Sequence, residues 1–168
     1  MKTAIVTDSN SGITQEQAAQ WGVRVVPMPI IIDNEIYYEG VNLSPEQFYQ
    51  YLREGRSVST SQPAPEDLTG VWDSLLAEGW DELVYIPMSS GLSGSCQTAL
   101  ILAEGYGGRV QVADNHQISV PQKNAVRDAA VLARAGLAAR EIKARLEEAG
   151  GDSLIYIGVD TLGYLKRG

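Results

Sequence analysis

Three short stretches of this 168-residue chain gather small hydroxyl and amide side chains at spacings that could do chemistry. They are Asp8 to Gly12, Ser57 to Pro65, and Ser89 to Ser95. The last, Ser89-Ser90-Gly91-Leu92-Ser93-Gly94-Ser95, lies between an apolar run and a helical pattern. Its hydroxyls and free N–H groups would surround a helix N-terminus, where the first amides lack partners and the dipole favours negative charge. That is a preformed anion site. The loop holds no lysine, so it is not a phosphate loop of the Walker type. A monocarboxylate suits neutral donors better than a triphosphate does. The plainer reading is that Ser and Gly are what tight loops contain, and that Asp8 and Ser9 merely cap the next helix.

The sharpest rival is a serine esterase. Gly91-Leu92-Ser93-Gly94-Ser95 nearly matches the nucleophile elbow G-x-S-x-G, and Asp114 and the single histidine, His116, follow another strand end. Two features oppose it. Ser95 stands where the elbow's last glycine belongs, and Asp114 and His116 lie too close in sequence to point in line at Ser93. His116 otherwise reads as a surface-loop residue. Cys96 falls in the first turn of a helix, where a thiolate would be stabilised, but it has no second cysteine and no placed base. The acidic pairs Glu66/Asp67 and Glu147/Glu148 read as solvated helix faces, and Trp21, Trp72 and Trp80 as packing residues. One Cys and one His cannot build a zinc site unaided, so neither a metal nor a cofactor is expected.

The elements that must position these loops alternate between strand and helix periods. Strands are expected at Thr3–Val6, Val23–Ile32, Ile36–Tyr38, Leu83–Ile86, Arg109–Ala113 and Leu154–Val159. Pro27 and Pro29 argue for an edge or a bulge within the second, and Asp33-Asn34 makes a turn before the third. Helices are expected at Thr14–Trp21 (Thr14 as N-cap, Gln17 in the capping-box position), at about Ser44–Arg53, and at Glu66–Ala77. Others follow at Ser95–Glu104, Lys123–Leu137 and Arg140–Ala149, with a short one beginning over Thr161–Arg167. Gly55 to Pro65 has no periodicity and reads as loop. Such alternation predicts an α/β fold, a mostly parallel sheet with helices on both faces. In such sheets ligands bind outside the carboxyl ends of the strands, where the first and third loops should lie.

Composition narrows the function further. The apolar content of 44% suits a globular core, and the net charge of −8 disfavours nucleic-acid and anionic-membrane partners. Asp8 interrupts the apolar start too early for a signal peptide, and no apolar run approaches the roughly 20 residues that span a bilayer. A reducing cytoplasm is the expected compartment.

Several segments are similar to one family's pattern: Val6-Thr7-Asp8-Ser9, Val25 to Ile30, Tyr37-Tyr38 and Thr161 to Gly168. The most specific are Ser59-Thr60-Ser61-Gln62-Pro63 and Ser89 to Ser95. Together they resemble the DegV family of fatty-acid-binding proteins. Asn10 stands where the family pattern has Thr; Asn115, Pro121 and Lys123 replace its Ser and glycines after Asp114. The resemblance implies that Thr60 and Ser93, with Ser61 beside them, bind a long-chain carboxylate. N–H groups near Gly94 and Ser95 would stand behind them. It implies a non-enzymatic carrier that presents the acid to a separate fatty-acid kinase, whose chemistry belongs to the partner. It further implies that residues 1–160 form the family's first domain. Residues 161–168 would begin the connection to a second, which in the family walls the acyl tunnel.

Overall fold

A computed structural model describes residues 1–156 and 158 of the chain. Strand β1 (Thr3–Asp8) is buried along its whole length, as expected of a central parallel strand. It is flanked by β2 (Val23–Val26) and by β6 (Glu82–Ile86), and β7 (Val110–Val112) lies outside β6. All pairs in this sheet are parallel, in the order β2-β1-β6-β7. Successive residues of β1 and β6 point to opposite faces. Ile5, Val84 and Ile86 pack against α1 (Gln15–Trp21), α5 (Ser119–Arg134) and α6 (Ala139–Ala149). Ala4, Val6, Leu83 and Tyr85 pack against α3 (Pro65–Ala77) and α4 (Ser95–Ala103). The expected parallel sheet with helices on both faces is therefore present.

Local signals account for most boundaries. Thr14 caps α1 and Gln17 closes a capping box, as the spacing predicts. Ser44 does the same for α2 (Pro45–Arg53), with Pro45 at the first helical position. Asp33 and Asn34 take φ of 49° and 70°, the left-handed pair that joins two strands in a tight hairpin.

Four expectations need correction. The run Val23–Ile32 is not one strand: Pro27 ends β2, and Pro29 opens β3 (Pro29–Ile32) in a second, antiparallel sheet. That sheet has the order β4-β3-β5, with β4 (Glu35–Tyr38) as the hairpin partner. The stretch Gly55–Pro65 is not all loop, because Val58–Thr60 forms β5 against Ile30–Ile32. Three residues with two hydroxyls carry no readable period, so tertiary pairing decides there. Helix α5 begins at Ser119 rather than Lys123, since Pro121 sits in its first turn, where proline costs no hydrogen bond. Leu154–Tyr156 join neither sheet, and Leu154 and Tyr156 are 82% and 93% exposed. The remainder of that expected strand, except Gly158, and the expected Thr161–Arg167 helix lie outside the described residues.

Candidate functional site

The strand order fixes where a site can form. From β1 the chain runs through α1 to β2 on one side, and from β6 through α4 to β7 on the other. The loops leaving β1 and β6 therefore diverge, and a crevice opens at the carboxyl ends of these neighbours. The small antiparallel sheet delivers β5 to the same place. Ser61 N–H donates to the Pro29 carbonyl at 3.2 Å, and Thr98 Oγ1 donates to Gln62 Oε1 at 3.0 Å, tying the loop after β5 to α4.

The result is a cleft of about 240 Å³ that joins all three polar loops. Ser9 and Asn10 come from the first, Thr60, Ser61 and Gln62 from the second, and Leu92 and Ser93 from the third, with Met88 just before it. Met28, Ile30 and Glu39 complete the lining. Thr60, Ser61 and Ser93 are thus brought together. Gly94 and Ser95 are not in the lining: Gly94 is the N-cap of α4 and Ser95 is buried beneath it. The Ser95 N–H is already engaged, donating to Ser93 Oγ at 3.1 Å, so the Ser93 hydroxyl keeps its own proton for another acceptor. Ser95 Oγ is buried with no partner among the described residues.

The cleft is neutral in its donors. None of its lining residues is a lysine or arginine, and Glu39 is the one acid among them. The cleft's hydroxyl and amide side chains can hydrogen-bond a small polar group without a cation to neutralise it.

Beneath the cleft lies a polar core built on Asp8, which the spacing offered as a cap, and on Gln122, for which no role was expected. Asp8 is fully buried at the end of β1. Its carboxylate accepts the Met88 N–H at 2.7 Å, the Asn10 N–H at 3.0 Å and the Gln122 side-chain amide at 3.1 Å. Burial pushes the Asp8 carboxyl above its ordinary range, opposed by these hydrogen bonds. A signal for Gln122 was available. It falls on the helical stripe of α5 otherwise formed by Ala125, Val126, Ala129 and Ala130, so it is a polar residue on a core-facing stripe.

The esterase reading fares poorly. His116 Nδ1 lies 3.5 Å from Asp114 Oδ1 and 3.4 Å from the hydroxyl of Ser90, not Ser93. One ring nitrogen faces both groups, whereas a relay needs the acid and the serine on opposite nitrogens. Ser93 is not among the residues with positive φ, so the strained elbow is not formed either. His116 is an exposed loop residue. The Cys96 thiol is buried and pushed up to about 12, first by burial and then by the nearby Asp114, which removes thiolate chemistry at neutral pH.

The profile of a family described as uncharacterised DegV proteins matches residues 2–168. The chain belongs to the DegV family. A DegV domain-containing protein of Deinococcus radiodurans is 36% identical over 99% of this chain, and one of Caldanaerobacter subterraneus is 34% identical over 99%. The chain spans 59% and 60% of those relatives' own lengths. A Thermus thermophilus DegV structure described as fatty-acid binding superposes with a TM-score of 0.89 at 35% identity. It covers all of this chain and 60% of its own. A fatty-acid-binding DegV structure from Bacillus subtilis gives 0.81 at 26% identity, over 90% of this chain and 54% of its own. Among the described residues no helix is long and apolar enough to cross a membrane.

Proposed function

We propose that this DegV protein binds a long-chain fatty acid non-covalently and does no chemistry on it. The Thr60 and Ser93 hydroxyls receive the carboxylate, with Ser61 beside them. The observation that carries this reading is one cleft, without lysine or arginine in its lining, in which segments from two different sheets bring Thr60, Ser61 and Ser93 together. The fatty-acid-binding descriptions of the Thermus thermophilus and Bacillus subtilis relatives support it.

Magnitudes divide the work between head and tail. Each hydrogen bond to a charged group contributes about 1.5–3 kcal/mol. Each buried methylene contributes about 0.8 kcal/mol, so the tail supplies most of the affinity and the cleft selects the head. The protein then acts as a cytoplasmic carrier that presents the bound acid to a separate fatty-acid kinase. Residues 1–160 form the head-group domain, and a second domain would wall the tail.

The test is mass spectrometry of lipid extracted from the purified protein, with titration of a fluorescent fatty acid. A bound fatty acid and saturable binding are expected. Absence of both would overturn the reading. Esterase turnover lost on both Ser93→Ala and His116→Ala would establish the hydrolase instead.

A further inference from the structure

We propose that Asp8 is the positioning residue of the head-group cleft: from beneath, its buried carboxylate ties together the two loops that supply the cleft's walls. The inference rests on the fatty-acid reading above. Asp8 does not line the cleft itself. Two residues that do, Asn10 in the loop after β1 and Met88 in the loop after β6, donate their backbone N–H groups to it at 3.0 and 2.7 Å. The same two residues touch through their side chains, Asn10 Nδ2 to Met88 Sδ at 3.1 Å. One carboxylate therefore fixes the spacing of loops that diverge on either side of the sheet.

The support beneath Asp8 is specific and costly. Gln122 reaches across from α5, and its amide nitrogen lies 3.1 Å from Thr7 Oγ1, 3.1 Å from Asp8 Oδ1 and 3.2 Å from the Ile86 carbonyl. Two amide hydrogens serve three acceptors. The Gln122 carbonyl oxygen is buried with no partner among the described residues. Apolar residues of similar volume would stabilise the core more simply. What they could not supply is an acceptor aimed at both loop amides. Ser9 extends the frame, its hydroxyl accepting the Met28 N–H at 3.0 Å, so a third lining residue is held from the same turn.

The test compares Asp8→Asn with wild type, using dodecanoate and methyl dodecanoate as probes. In the variant an amide N–H₂ must face at least one of these donors, and the loops lose their common anchor. Dodecanoate should bind about tenfold more weakly while the ester is unchanged, because only the acid uses the charge-selective head site. Equal weakening of both probes, or of neither, would overturn the proposal. Should Asp8→Asn not fold, Gln122→Met takes its place, with a several-fold loss of acid-over-ester preference expected and an unchanged preference counting against it. Hydrogen exchange at the Met88 and Asn10 amides provides a readout independent of ligand. It should accelerate about tenfold in either variant. Unchanged exchange overturns the proposal, whereas wild-type protein that binds no fatty acid overturns only the function proposed above.

Discussion

Removing the two head-group hydroxyls separates recognition from stability, because the structure holds them differently. Thr60 is exposed on the edge strand β5, and its hydroxyl makes no hydrogen bond among the described residues. Thr60→Val would therefore delete only the proposed bond to ligand. Ser93 also accepts the first amide of α4, the Ser95 N–H, at 3.1 Å, so Ser93→Ala would remove the proposed ligand donor and this local hydrogen bond together. Each lost bond to a carboxylate corresponds to about 1.5–3 kcal/mol, or roughly ten- to a hundredfold in affinity. Ser93→Ala should cost a further ~1 kcal/mol of folding stability, as loss of a partner for a part-buried amide does, and Thr60→Val close to none. With both hydroxyls serving one carboxylate, as proposed, their effects should be coupled and the double variant less than additive. Displacement of a fluorescent fatty acid reads the first quantity and urea unfolding the second. Unchanged affinity in both single variants would refute the head-group assignment, and full additivity would refute a shared carboxylate.

Glu39 is the one acid lining the cleft, and since like charges in water repel by about 1 kcal/mol even at ~4 Å, a carboxylate farther along the cleft is repelled by a fraction of that. Glu39→Gln should tighten fatty-acid binding two- to threefold, an effect that high salt erases; equal affinities at low salt would dismiss it. Asp8 keeps its proton to higher pH in the folded state than in the unfolded one, since burial outweighs its hydrogen bonds. Its contribution to stability therefore falls as pH rises from the ordinary carboxylate value of 3.8 through the raised folded value, and then levels. The stability of Asp8→Asn relative to wild type should climb over that interval in urea titrations, and a flat difference would contradict the burial argument. His116→Ala should leave fatty-acid affinity unchanged, as its ring faces Asp114 and Ser90 rather than Ser93; a large loss would bring the histidine into the site.

How much of this was legible in the residues depended on whether the signal was local. The capping boxes at Thr14 and Ser44, the Asp33-Asn34 turn and the buried runs of β1 and β6 are each written within a few neighbouring positions, and each appears where expected. Of the second sheet only the hairpin strand after Asp33-Asn34 was legible; β5 was not, because it is defined only by pairing Val58–Thr60 with Ile30–Ile32 across a hairpin and a helix. The three polar loops could be picked out by composition. Their meeting in one cleft could not, since it depends on β2 and β3 parting company between Pro27 and Pro29. Met28 reaches the lining from that reorganised segment and Glu39 from the end of β4, and neither has a residue type that alone marks it for this site. The Asp8–Gln122 contact spans 114 positions. A polar residue on the apolar stripe of α5 announces that a partner exists but not which one.

The size of the cleft limits what the described part of the chain does alone. At about 240 Å³ it falls below the roughly 300–1,000 Å³ of pockets that enclose drug-sized ligands. A carboxyl head and a few carbons fit; a long tail does not. Two hollows share lining residues with the cleft, one of about 480 Å³ through Ser9 and Glu39 and one of about 330 Å³ through Leu92. The second is lined by Ile118, Pro121, Leu154 and Ile155. The choice is readable from chain length. A tail that enters a closed apolar space gains about 0.8 kcal/mol per methylene, close to fourfold in affinity for each carbon. A tail that lies in an open hollow keeps much of its surface in water and gains far less. Titrating this chain with saturated acids from six to eighteen carbons should give a steep rise over the first few carbons and then a plateau. A protein of the relatives' full length should continue to climb. If the shorter chain climbs fourfold per carbon to the end of the series, the tail is enclosed within this chain, and the proposed need for a second wall is wrong.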